Sequence, residues 1–410
     1  MLNKSVFKSI TLAGAAVLMA SALIIMPEES FEASVRGLDI WLEIVFPSLL
    51  PFLIISEMLI AFGVVKFLGV FLEPFMRPLF KVPGAGGFVW AMGLASGNPS
   101  GAKLTARLRQ DGQLTRVEAE RLVSFTSSSN PLFIFGAVSV GFFLNPELGI
   151  LLAISHYASN IGVGLMMRFY GRNEEKKQLE EEGSKKPFSI LEAFKIMHRT
   201  RLDDKRPFGK ILGEAVNSSV QTLLMIGGFI IIFSVINKVL FHLHITAFAA
   251  SLFSSIFVFL DLPQTLSIPF VSGLFEITLG SQLTSQVENV TLMQQAVITS
   301  ALLAFGGFSI QAQVASILAE TDIRFKPFFL ARLLHTLLSG LITWLLFNPI
   351  YVGLRNRSQN SNVEETFAAS HGKAEEILSF LAQSGPLITL LTLLAYCLLL
   401  LHAHRQAHLK

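Results

Sequence analysis

The chain has one cysteine in 410 residues, Cys397, which excludes an internal disulfide and any zinc site built from paired cysteines. Charge is scarce too. Asp, Glu, Lys and Arg make up 15% of the residues, where a soluble domain carries about a quarter. The formal net charge of +3 supplies no basic face for neutralising phosphates, so nucleic acid is not expected as a partner. H-E-x-x-H, G-x-S-x-G, paired His/Cys arrays and the phosphate loop G-x-x-x-x-G-K-[ST] are all missing. No enzyme, metal centre or cofactor is therefore expected. One absence is local: no Lys or Arg occurs between Lys238 and Arg324, a stretch of 85 residues.

What the chain does have is apolar length. Hydrophobic residues are 52% of the total, with 36 phenylalanines among them, and they come in long runs. A spanning helix needs roughly 20 mostly apolar residues. Six stretches approach that: 9–26, 40–65, 148–167, 213–237, 293–319 and 328–347. A shorter run at 386–401 and a partly polar one at 122–144 bring the count to eight. The expected fold is an all-α polytopic membrane protein. The first run imitates a cleavable signal peptide and is read here as an uncleaved first helix. Residues 245–260 stay ambiguous between an interfacial and a partly inserted helix, like the amphipathic 66–81.

Orientation follows the basic residues. Residues 170–210 carry eleven Lys and Arg and should be cytosolic, as should Lys4 and Lys8. The polar run 281–291 lies in the basic-free stretch and should face away from the cytosol.

A shift of 176 residues brings two halves into step. Ser96-Gly97 meets Ser272-Gly273, Thr115 meets Thr291, Ser124 meets Ser300, and Asn130-Pro131 meets Gly306-Gly307. Both threonines suit a helix N-cap. Segment 101–121 holds five basic residues and its counterpart 277–297 none, so the two should lie on opposite sides of the bilayer. That is an inverted repeat. The Gly/Pro-interrupted segments 83–98 and 263–280 are too short to span, and each reads as an arm of a re-entrant hairpin. Paired interrupted segments of this kind point to a transport site.

The candidate substrate-binding residues cluster there. Ser96, Gly97, Asn98, Ser100, Gly101 and Lys103 combine close backbone approach, a helix opening and a cation, which suits a carboxylate or phosphate. A plain loop-to-helix turn is the simpler alternative. Ser127, Ser128, Ser129 and Asn130 are polar groups in an apolar helix, with Pro131 expected to break its ladder near mid-span. Helix packing by small residues is the alternative there. Glu276, Thr278 and Gln311 hold comparable places in the second half, and Glu276 is an ionisable group at membrane depth. Glu57, Gln221, His335 and the pair His156/Asn160 are weaker candidates, the last three read as packing or helix-end residues.

The run PGAGGFVWAMGLASGNPSGAKLTARLRQDGQLTRVEAERLVSFTSSSNPLFIFGAVSVGFF at 83–143 resembles the YlbJ-type sporulation integral membrane proteins. SGLFEITLG at 272–280 looks like the matching motif of the second half. These proteins belong to a wider group with nucleoside-recognition Gate domains. The resemblance implies a protein of the outer forespore membrane, associated with passage of dipicolinic acid towards the forespore and with formation of the spore cortex. On this reading the chain comprises a first helix (1–39), a Gate-like repeat (40–169), a charged cytosolic loop (170–210) and an inverted Gate-like repeat (211–350). A polar loop (351–385) and a C-terminal helix with a basic tail (386–410) follow. Membrane lipid and a small anionic substrate are the expected partners, and a homo-oligomer is compatible with the sequence. A transporter of another solute, such as a nucleoside, and a non-transporting scaffold for spore-envelope assembly are the rival readings.

Overall fold

The computed structural model describes residues 4–172 and 190–355. The expected helix at 386–401, Cys397 and most of the loop at 351–385 fall outside the described residues. The chain divides into two compact units, Met1–Tyr351 and Val352–Lys410, and all the helices of the described core belong to the first.

Every regular element among the described residues is helical. Helix α1 (Lys4–Ile25) leads to α2 (Pro27–Asp39). A π-helical turn at Ile40–Val45 then runs into α3 (Phe46–Ala61). The first hairpin follows α4 (Val64–Phe80), as α5 (Ala85–Ser96) and α6 (Ser100–Gln110). Next come α7 (Arg116–Thr126), a π-helical segment at Leu132–Phe142, and α8 (Pro146–Met167). After α9 (Ile190–Asp203) the plan repeats. The long α10 (Phe208–His242) and short α11 (Ile245–Phe259) precede a second hairpin of α12 (Ser267–Phe275) and α13 (Ile277–Ser285). Then α14 (Leu292–Phe305), α15 (Gly307–Leu318) and α16 (Phe325–Leu346) complete it.

Among the described residues five helices are long and apolar enough to cross a membrane, or six if the bent pair α3–α4 counts as one. The outer surface is apolar: Leu224, Phe248, Leu337 and Leu341 are all exposed. The interior, in contrast, is rich in polar groups, with Ser127, His156, Asn160, Arg332 and His335 all buried. That arrangement suits hydrocarbon outside and a polar path within. The protein is an all-α polytopic membrane protein.

Three expected elements take a different form. Residues 40–65 are not one straight span, because the chain turns through 85° after Ala61, with Gly63 in the left-handed region. His244, between α10 and α11, takes the same left-handed conformation. Residues 122–144 are not one helix either. Thr126 ends α7, Ser127–Asn130 run without helical structure, and Pro131 stands at the start of the next segment rather than in mid-helix. Proline lacks an N–H and disfavours helix in the residue before it, so a break preceding Pro131 leaves no donor wanting there. Finally, 263–280 holds parts of both hairpin arms, since the tip is at Glu276 and not beyond Gly280.

The two halves pack crosswise. Arm α6 lies on α15 of the other half, and α13 lies on the π-helical segment of the first half. Likewise α16 packs on α7, and α8 on α14. The alignment of starts is set by matching caps. Thr115 and Thr291 each close a capping box, with Glu118 and Gln294 as the reciprocal partners. Helix connectivity gathers the basic residues at one end, where Arg121 donates to the carbonyls of Lys81 (3.0 Å) and Tyr170 (Nε, 2.9 Å). Arg324 pairs there with buried Glu120 at 2.7 Å, and Arg109 with Asp322 at 2.7 Å. At the opposite end Asn145 donates to the Tyr351 hydroxyl at 2.7 Å, and Gln294 to the Asp261 carbonyl at 3.1 Å.

Candidate functional site

Each hairpin tip sits against the broken helix of its own half. In the first half, Gly93 and Gly101 flank the carbonyl of Thr126, the last residue of α7, so closely that a Cβ at either would overlap its oxygen. Gly97, between them in sequence, turns the chain at φ 84°, and a Cβ there would stand 3.1 Å from Asn130. Glycine at every fourth position thus lets α5 and α6 clasp the break. Asn130 joins the pieces. Its amide donates to the Ser96 carbonyl at 3.0 Å, and its oxygen accepts from the Phe133 N–H at 2.8 Å, capping the segment beyond the break.

Around this junction several polar atoms are buried with no protein partner: Asn98 Oδ1 and the hydroxyls of Ser100, Thr126, Ser127 and Ser128. Buried polar groups are nearly always hydrogen-bonded, so a cluster of orphans marks a place for a ligand or water. Helix α6 also opens beside them with no side-chain cap.

The second half differs in charge. Glu276 is the N-cap of α13, and its carboxylate accepts from the N–H groups of Thr278 (2.9 Å) and Leu279 (2.7 Å). A hairpin arm of this chain therefore already holds a carboxylate at its N-terminus, a position that the dipole and free N–H groups favour. Both oxygens of Glu276 are engaged in that cap. Gly307, at φ 71°, packs over the backbone of Gly273, Phe275 and Ile277. Gln311 donates to the Phe305 carbonyl at 2.9 Å across the second break, while its own carbonyl oxygen is buried without a partner. Asn237 of α10 donates to the Ser272 carbonyl at 3.2 Å, the counterpart of Asn130 on Ser96.

Behind the first break lies a buried network that sequence reasoning largely passed over. Arg332 of α16 donates to the carbonyls of Ser127 (2.6 Å) and Ser124 and, at 3.0 Å, to His335 Nδ1. Since a guanidinium only donates, Nδ1 accepts and Nε2 donates to the His156 carbonyl at 2.9 Å. His156 Nε2 accepts from the Ser129 N–H at 3.0 Å, and Tyr157 donates to the Ser129 carbonyl at 3.1 Å. The Ser129 hydroxyl reaches the Leu303 carbonyl of α14 at 3.5 Å, which links the two breaks. His335 and His156 are thus hydrogen-bonded to the backbone around the first break as well as packed there. An arginine inside an apolar run was the available signal.

Lys103 points elsewhere. Its ammonium donates to the carbonyl (3.0 Å) and hydroxyl (3.1 Å) of Ser218 and to the Thr222 hydroxyl, all on α10. There it borders a cavity of about 210 Å³ that also meets Glu57, Arg107, Gln221 and Glu320. Glu57 and Gln221, both weaker candidates, join Lys103 in this cleft. Asn98, Ser100 and Ser127–Asn130 form the separate junction at the first hairpin tip. Gly101 contributes close packing, and Thr278 a backbone N–H to Glu276.

The Gate family, described as nucleoside recognition, matches twice, at residues 42–143 and 223–323. Each match takes in one hairpin and one broken helix. The sporulation integral membrane protein YlbJ of Bacillus subtilis (strain 168) is 53% identical over 404 residues, covering 97% of both chains. This chain belongs to the YlbJ family of sporulation integral membrane proteins. A solved structure of a CNTnw double variant in an outward-facing state aligns with 82% of this chain and 88% of that one, at 15% identity and a TM-score of 0.48.

Proposed function

We propose that the protein transports a small organic anion, with dipicolinate as its cargo, from the mother cell towards the forespore. The observation that carries this reading is the junction at the first hairpin tip. Orphaned hydroxyls of Ser100, Ser127 and Ser128 face an uncapped helix start, and the Arg332 guanidinium stands behind them. Pyridine-2,6-dicarboxylate is a planar dianion. Its desolvation must be offset by donors and positive charge, and this junction has both. Glu276 supports the assignment from within the chain, as a carboxylate already seated on the equivalent hairpin arm. Asn98, Ser96, Gly97, Ser129 and Asn130 complete the proposed site, with Lys103 lining the approach through the cleft of α3, α6 and α10.

On this reading the protein is a carrier and not an enzyme. It lies in the outer forespore membrane with its basic end in the mother-cell cytosol, and its transport feeds cortex formation. The Gate description favours a second reading, a nucleoside as cargo. Uptake by purified protein in liposomes, with and without a proton gradient, separates the two. Labelled dipicolinate should enter, and excess nucleoside should not compete. Uptake of nucleoside with exclusion of dipicolinate would replace the first reading by the second.

A further inference from the structure

Where a helix stops inside a membrane, its last carbonyls are left without N–H partners and carry the negative end of the helix dipole. In transporters built on discontinuous helices, such ends coordinate the coupling Na⁺ or H⁺. Helix α7 ends this way at Thr126, at the first break. Two of its terminal carbonyls, Ser124 and Ser127, face the Arg332 guanidinium instead.

Arg332 is 3% exposed, and its guanidinium meets no carboxylate among the described residues. Arginine stays protonated in proteins, so a full positive charge resides here. Its neighbours are carbonyls, the neutral Nδ1 of His335 and the face of Phe328 at 5.5 Å. A buried charge with no counter-ion is costly unless dipoles compensate it, and the α7 terminus is such a dipole. Among the described residues the second break has no equivalent. There the Phe305 and Leu303 carbonyls take neutral donors, the Gln311 amide and the Ser129 hydroxyl. The residue related to Arg332 by the 176-residue shift is His156, whose Nε2 accepts a hydrogen bond.

We propose that Arg332 is a tethered cation, occupying at the end of α7 the position that a mobile alkali-metal ion would otherwise take, so that the first break needs no Na⁺. The consequence reaches beyond the nature of the cargo, and holds whether dipicolinate or a nucleoside is carried. The positive charge at this break is permanent, and it cannot leave with the substrate.

The test is thermal unfolding of purified full-length protein without substrate, in NaCl, KCl, LiCl and choline chloride at equal ionic strength. The wild type should show the same Tm in all four salts. Arg332→Ala frees the Ser124 and Ser127 carbonyls. It should lower Tm in choline chloride and recover about 4 °C or more in one of the alkali salts, as expected for an ion that binds only the folded state. Arg332→Lys keeps a cation and should show no salt preference. A wild type stabilised by Na⁺ over choline overturns the proposal, as does a folded Arg332→Ala indifferent to the alkali ions. Arg332→Gln stands in if Arg332→Ala does not fold. If neither neutral variant folds in any alkali salt, those carbonyls do not accept a mobile ion and the proposal falls. Because the readout contains no substrate, its failure is distinct from failure of the transport assignment.

Discussion

At the residue scale, Asn130 does two jobs with one amide: it holds the hairpin at Ser96 and caps the segment that restarts at Phe133. The two jobs can be separated. Asn130→Asp retains an oxygen for the cap but loses the N–H, and adds negative charge beside the proposed anion site. Asn130→Leu keeps bulk and loses both hydrogen bonds. In the proposed site the second N–H of the amide donates to the anion, and losing that charge-assisted hydrogen bond costs about 1.5–3 kcal/mol, or roughly tenfold to a hundredfold in affinity. Dipicolinate uptake should therefore fall at least tenfold in Asn130→Asp at unchanged abundance in the membrane. A neutral solute would not feel the added charge. Unchanged dipicolinate kinetics in both variants would remove Asn130 from the site. The polar run around Asn130 stands out in sequence because hydroxyls are expensive in lipid. The partner of Arg332 does not, since Ser127 lies 205 residues away and only the crosswise packing of α16 on α7 unites them.

At the element scale, the hairpins depend on glycine where backbone meets backbone. Gly93 and Gly101 press on the same Thr126 carbonyl, and no flexible side chain is there to yield. Gly93→Ala and Gly101→Ala should each force α5 or α6 off the break and destabilise by about 1–3 kcal/mol, the usual scale of overpacking. Gly228 in α10 has nothing within 4 Å of its Cβ position, so Gly228→Ala should be neutral or slightly stabilising. Thermal unfolding of the three variants checks the contrast, and equal behaviour would remove the clasp as an explanation. Much of this element plan is legible in sequence, because Thr115 and Thr291 mark helix starts by cap chemistry that is local. The tip of the second hairpin is not. No glycine or proline marks Glu276, and the turn is held by a carboxylate that reads in sequence as a functional acid.

At the scale of the whole molecule, charge follows the fold's two-sided plan. Helix connectivity puts Arg109, Arg116, Arg121 and Arg324 at one end, joined by Asp322, Glu120 and the carbonyls of Lys81 and Tyr170. The other end draws on the stretch without Lys or Arg, where the turn between α13 and α14 carries Gln286 and Glu288. Basic loops resist export, so the first end should face the cytosol. The lone Cys397 makes the test simple, since Cys397→Ser leaves a chain free of thiols. Single cysteines are then placed at Ser285 or Gln286 on one end and at Lys210 on the other, all on described helices or their caps. In cells made to carry the protein in the plasma membrane, a membrane-impermeant maleimide added outside should label positions 285 and 286. Position 210 should react only after the membrane is opened. Labelling of both sites from the same side would contradict the opposed orientation of the two hairpins, because α13 leads outward to 286 while the turn after α6 leads to the basic end. The repeat would then have to be parallel, and the crosswise packing of α6 on α15 and α13 on the π-helical segment would lose its symmetry argument.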